Sequence, residues 1–359
     1  PLPRWSVLRR RDPNVKPAAG ATHRVSMFDV VDRVEDEVPP MVALAVAVVA
    51  VSTSAILVEF SNAPSVVKAF YRVLFTTLLL APFAATRYRS ELGTFSGRDL
   101  LVAVVTGGAL AVHFVTWFAS LDWTTVAASV TLVQSQPLFV AVGAWALLDE
   151  RVTGRTVAGI LVAIVGMAAM TLGGVLSAAE VQGLLSGALW DDLFTGAVLD
   201  PTSSEAAGTS PRPLYGNALA VAGAIAAAGY VLAGRSIRQR VSLVPYVTVV
   251  YGVCTVVLFG VALASVGPDA LALTTYPPVE WALFLAMAVG PGIFGHTVIN
   301  WALKYVESSV VSVSLLGEPV GSTVLALVLL GQVPGVATVA GGTVVLGGIY
   351  VTSTASGAG

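Results

Sequence analysis

Ten mainly apolar stretches, each about the length needed to cross a bilayer and each bounded by charges, Gly or Pro, divide the chain. They fall at residues 41–60, 65–85, 100–119, 124–148, 156–176, 214–234, 244–264, 280–302, 307–330 and 334–353. Lipid offers no hydrogen bonds to a backbone, so stretches of this kind are stable only as helices that satisfy themselves. The fourth is separated from the third by SLDWT alone, residues 120–124, which reads as an in-membrane turn, because one helix from 100 to 148 would be too long for a single crossing.

Composition agrees. Only 11% of the 359 residues are charged and the mean hydropathy is +0.83, whereas soluble domains carry about 25% charged residues. The net charge of −2 comes with no global basic patch, so no nucleic-acid partner is expected. The single cysteine, Cys254, excludes an internal disulfide and a cysteine-based metal site.

Basic residues are distributed asymmetrically. With the N-terminus in the cytoplasm, sixteen of the 19 Lys and Arg fall in inside segments, among them Arg87, Arg89, Arg151, Arg155, Arg235, Arg238 and Lys304. Arg212 falls outside, and Lys68 and Arg72 lie within the second stretch. The positive-inside rule therefore favours ten spans with both termini cytoplasmic, in the plasma membrane. Residues 1–40 mix basic and acidic runs with prolines and read as a disordered cytoplasmic tail that is not a signal peptide, with Met27 an alternative start. Residues 177–213 are acidic and rich in Pro, Ser and Gly, and read as an external linker loop.

The halves on either side of that linker, 41–176 and 214–354, resemble each other. An offset of 182 lays VAASVTLVQSQPLFVAVGAWALL over SSVVSVSLLGEPVGSTVLALVLL without a gap, placing Pro137 on Pro319, Gly159 on Gly341 and Gly166 on Gly348. Five spans per half is an odd number, so the second half enters the membrane from the opposite side. The expected fold is an all-α integral membrane protein of ten transmembrane helices in two inverted five-helix repeats, the architecture of secondary transporters.

The blocks PLFVAVGAWALLDERVTGRTVAGILVAIVG and EPVGSTVLALVLLGQVPGVATVAGGTVVLGG resemble the two EamA-type domains of the drug/metabolite transporter superfamily. The resemblance covers roughly 41–175 and 214–354. It implies a central cavity lined chiefly by helices 1, 3, 4, 6, 8 and 9, and alternating-access export or exchange of small metabolites. The first repeat ends Leu-Leu-Asp-Glu and the second Leu-Leu-Gly-Gln, so Glu150 has no acidic twin at Gln332.

Polar residues inside spans are the candidate site, because they are costly in lipid and face a protein interior or a wet cavity. Pro137 and Pro319 each remove a backbone donor and are expected to kink spans 4 and 9, freeing the carbonyls of Val133 and Leu315. Glu318 is four residues from both Ser314 and Ser322, which predicts one polar stripe turned inward; its repeat mate is Gln136. It reads either as a shared structural or gating group or as a contact for substrate or a coupling proton. His113 and Trp117 share a face of span 3, as His296 and Asn300 do on span 8. Gln134 and Tyr230 complete the candidate set, and Gly290-Pro291-Gly292 is expected to break span 8. Arg72 reads as snorkelling outward or pairing with Glu59, with an anion-binding role the alternative. Gly341-Gly342 and Gly347-Gly348 read as close helix packing.

No HExxH, GxSxG or Walker-type motif is present, so no catalytic residue, metal or cofactor is expected. The expected function is secondary transport of small metabolites, amino-acid-like or drug-like, with protons a candidate coupling ion and a monomer or homodimer as the working unit in the lipid bilayer. A phosphorylated-sugar or nucleotide-sugar exchanger would need several cavity Lys or Arg for phosphate, and the spans offer Lys68 and Arg72. A non-transporting membrane sensor or assembly factor would need a folded soluble domain. The topology has a direct check: cysteines introduced near Asp192 and Asp269 should react with an impermeant thiol reagent applied outside, and those near Arg89 and Arg238 should not. Labelling of both sets from one side would refute the ten-span arrangement.

Overall fold

Helix formation follows the apolar stretches closely. The computed structural model describes residues 38–93, 95–123, 126–172 and 213–356, so the tail and most of the linker loop read from the sequence lie outside the described residues. Pro1–Pro39 and Pro40–Gly359 form separate units, and all that follows concerns the second. Its helices are α1 (Pro40–Phe60), α2 (Ser65–Thr86), α3 (Gly97–Leu121), α4a (Val126–Val133) and α4b (Gln136–Leu147), and α5 (Gly154–Leu172). The second half holds α6 (Pro213–Arg238), α7 (Leu243–Val266), α8a (Pro278–Met287) and α8b (Val298–Ala302), α9a (Ser308–Ser314) and α9b (Gly317–Leu330), and α10 (Val336–Ser356). Among the described residues nine helical segments are long and apolar enough to cross a membrane. The stretch expected at 156–176 is represented by α5, whose apolar part, Gly154–Met170, is shorter.

Local chemistry sets several boundaries. Ser96 starts α3 by accepting from Asp99 N at 3.0 Å, and its hydroxyl donates to Asp99 Oδ2 at 2.6 Å, so a cap supplies one of the orphan donors of the first turn. At the far ends of α4b and α9b the chain turns through left-handed residues, Asp149 at φ 54° and Gly331 at φ 67°. The next amides, Glu150 N and Gln332 N, return to Ala144 O at 3.1 Å and Ala326 O at 3.2 Å. These pairs stand 182 residues apart, so the repeat written in the sequence is also a repeat of backbone geometry. Glycine meets this conformation freely in the second half; in the first, aspartate is among the few side chains that tolerate it.

Two prolines act differently from a simple kink. The fourth and ninth crossings are interrupted at Gln134–Ser135, two to three residues before Pro137, and at Leu315–Leu316, three to four residues before Pro319, and resume as new helices. The Leu315 carbonyl is not freed, since it accepts from Glu318 N at 3.0 Å through a tightened turn. Pro291 does not break its helix at all: residues Ala288–Thr297 form a π-helical segment between α8a and α8b. The wider π turn accommodates the proline ring and keeps the crossing continuous over Pro278–Ala302.

Packing follows a two-fold pattern. Helix α1 packs against the π segment and α9b, while its counterpart α6 packs against α3 and α4; α2 pairs with α7, and α5 with α10. The α5–α10 contact is the most intimate. A methyl group added to Gly348 would lie 2.5 Å from Ala163 N and 2.6 Å from Gly159 O, and one added to Gly341 would lie 2.6 Å from Gly166 O. Close backbone approach through small residues supplies the van der Waals contact that holds helices together in lipid. Met167 and Val345 are buried beside these glycines.

Gly347, adjacent in sequence, has nothing within 4 Å of the same added group. Gly348→Ala should therefore lose about 1–3 kcal/mol of stability, whereas Gly347→Ala should melt like the parent. Thermal unfolding in detergent followed by tryptophan fluorescence makes the comparison, and equal melting of the two variants would contradict this packing.

Candidate functional site

Residues at the interruptions in α4 and α9 line one cavity of about 350 Å3, within the range of small-molecule sites. Its walls come from α1, α3, α4, α6, α8 and α9, the helices expected from the sequence, and from Arg72 of α2. Much of the lining is apolar or aromatic, including Val51, Phe114, Trp117, Val133 and Ile299. The polar groups are few and are spread over both halves.

Of the residues singled out from the sequence, His113, Trp117, Gln134, Gln136, Tyr230, His296, Glu318 and Pro319 all line this cavity. His113 Nδ1 donates to Gly223 O at 3.0 Å, the carbonyl being an acceptor only, and its ring stacks on Trp117 with centroids 5.9 Å apart. Methionine-free and rich in rings, this wall continues through Phe114, which meets His296 edge-on at 6.4 Å, and Tyr230, 6.3 Å from the same imidazole. Asn300 is not in the wall. It lies fully buried behind it, donating through Nδ2 to Tyr230 Oη and, at 2.8 Å, to His296 O, and so holds both of those lining residues in place. Ser314 is not in the wall either; its hydroxyl donates back to Val310 O at 2.8 Å inside α9a. Pro137 and Pro291 do not line the cavity, though Pro137 lies next to Gln136, which does.

Glu318 is held from behind. Ser52 Oγ of α1 shares its one proton between Val48 O of its own helix at 2.7 Å and the Glu318 carbonyl at 3.0 Å, and Ser322 Oγ donates to Ser52 O at 2.9 Å. These two bonds, with Gly321 packed against Ser52, clamp the first turns of α9b on α1. The Glu318 carboxylate itself makes no hydrogen bond or close ion pair among the described residues. It is left lining the cavity.

Arg72 departs from the snorkelling or Glu59-paired arrangement and lines the cavity instead. It does not reach the membrane surface or Glu59. Its guanidinium carbon sits 5.3 Å from the Phe114 ring centroid, and Nη1 donates to Ser54 Oγ at 3.3 Å. Arg72 and Glu318, one from each half, both line the cavity. A signal for this was present: they are opposite charges in the middle of apolar stretches, each lacking a partner on its own helix.

At one end of the bundle a second cluster joins the halves. Glu150 Oε1 accepts from Arg235 Nε at 2.7 Å, and Oε2 accepts from Ser308 Oγ at 2.7 Å and Ser308 N at 3.0 Å. Arg235 also donates to Leu303 O at 2.9 Å and Lys304 O at 3.1 Å. This ties the end of α4b to α6 and to the connection between α8b and α9a. Arg240 pairs with Asp99 at 2.9 Å, between two further segments read as inside. At the other end, buried Glu280 accepts from Ser61 Oγ at 2.6 Å and Asn62 N at 2.8 Å, fixing the α1–α2 turn on α8a.

Comparison with known proteins accords with this arrangement. Residues 39–172 and 214–354 each match the model of the EamA-like transporter family. An "uncharacterized transporter" of Archaeoglobus fulgidus is 22% identical over 286 residues, which span 79% of this chain and 86% of that protein. A solved crystal structure shares the fold at a TM-score of 0.67 and 19% identity, covering 88% of this chain and 97% of its own.

Proposed function

Because the chain belongs to the EamA-like transporter family, we propose that this membrane transporter exports or exchanges small metabolites, amino-acid-like or drug-like, by alternating access through the cavity between its halves. The observation that carries the reading is the cavity itself, walled by helices of both repeats and centred where α4 and α9 are interrupted. Interrupted helices at a cavity are tolerated in a bilayer only where protein or water covers the loosened backbone, and they give a packed bundle places to bend. The Glu150–Arg235–Ser308 cluster closes one end by joining the halves. In this reading it is the cytoplasmic end, the bundle has ten spans in two inverted repeats in the plasma membrane, and both termini are cytoplasmic. Passage of a solute then requires that cluster to part and reform.

Glu318 is the proposed centre of substrate or proton handling. Its carboxylate faces the cavity without a close partner, while its backbone is clamped to α1. A group that only completed the helix turn would be expected to spend its side chain on protein partners. Glu318→Gln keeps size and hydrogen bonding but cannot change charge. In proteoliposomes, uptake or counterflow by the parent should vary with pH, and the variant should show a flattened curve of low amplitude while retaining its melting temperature. Parallel curves of equal amplitude would eliminate a coupling role and leave Glu318 as architecture.

A further inference from the structure

We infer that Arg72 is a substrate-reading residue: it anchors a carboxylate on the transported solute, whose apolar body lies against the aromatic wall. This rests on the transport reading above for the use of the cavity and adds the chemical class of what enters it. A guanidinium has five N–H donors in a planar fork suited to a carboxylate. Arg72 uses one, in a long 3.3 Å bond to Ser54 Oγ, and no other hydrogen bond to it is made among the described residues. Its flat face is occupied by Phe114, which orients the fork and leaves the edges for a ligand. A charge in this setting is expensive without full pairing, and the protein supplies no carboxylate within ion-pair distance of it among the described residues.

Two further polar groups on lining residues point the same way. The buried Trp117 Nε1 and His296 Nδ1 have no hydrogen-bond partner among the described residues, and an indole N–H can only donate. Trp117 supplies a donor and His296 Nδ1 a donor or an acceptor according to its tautomer, so a small shift of either side chain offers a hydrogen bond to a polar solute in the cavity. Glu318, across the same cavity, is the one lining carboxylate. A solute with a carboxylate for Arg72 and a donor or ammonium for Glu318 leaves the site neutral overall. A purely cationic solute leaves Arg72 unpaired, and is disfavoured.

The test uses matched pairs on the full chain in lipid nanodiscs: L-leucine against L-leucinamide, and 4-methylpentanoate against 4-methylpentanamide. Binding by calorimetry should favour the acid of each pair by about tenfold or more, as loss of a charge-assisted bond implies. Arg72→Lys, which keeps the charge without the fork, should weaken the acids and leave the amides unchanged. Arg72→Gln should bring acid and amide to within about twofold, with ligand-free melting checked for each variant. Amides binding as tightly as acids to the parent, a measurement that needs no variant, would overturn the assignment, as would full acid affinity in a folded Arg72→Gln. Transport assays separate the two readings. Acids that bind through Arg72 but never cross proteoliposomes would sink the transport reading alone, while amides crossing in preference to acids would sink the carboxylate anchor and leave transport standing.

Discussion

A bilayer supplies no hydrogen bonds and almost no screening, so every polar group that this chain carries into the membrane must be answered by another part of the chain or by what the chain encloses. Most are answered locally. Thr76, Thr106 and Thr248 return their hydroxyls to their own helices, and Asn300 joins Tyr230 to the His296 carbonyl. Arg72 and Glu318 are not answered in this way. They are drawn from opposite halves into the same space, and α4 and α9 stop and restart beside it. The cavity, its charges and the interrupted helices are therefore parts of one solution.

The same constraint explains how the halves are joined. Where no charge is involved the contact is made by removing side chains, as at Gly159, Gly166, Gly341 and Gly348, and such a seam has little freedom to open. Where charge is available at the membrane edge the contact is an ion pair, as at Glu150 and Arg235. That pair is mostly buried, with Glu150 9% and Arg235 20% exposed, and Ser308, Leu303 and Lys304 hydrogen-bond to it, so it parts cheaply only where water enters to solvate both charges. The bundle thus combines a glycine seam between α5 and α10 with a charged clasp between the end of α4b and α6.

Much of this was legible in the sequence. The apolar stretches became helices, the six cavity helices are those that the resemblance implies, and seven of the residues chosen for being polar within spans line one cavity, with Pro319 beside them. The errors have physical causes. Ser314 and Glu318 share a face only on an unbroken helix; the turn at Leu315–Leu316 resets the helical phase, so Ser314 faces protein while Glu318 and Ser322 face the cavity. Glycine and proline at 290–292 suggest a break, but a π turn resolves the same clash without one. Arg72 was judged by its distance from the end of its own helix, whereas Phe114 on α3 and the cavity decide where it points, and that information belongs to tertiary packing.

Movement across the clasp is the most direct trial of alternating access. Spin labels at Leu147, at the end of α4b, and Tyr305, between α8b and α9a, occupy exposed positions flanking Glu150 and Ser308, so their separation reports whether the two halves part there. In nanodiscs, pulsed dipolar spectroscopy should find two distance populations, with Glu150→Gln shifting the balance towards the longer. A single distance that is the same in parent and variant would contradict the transport account.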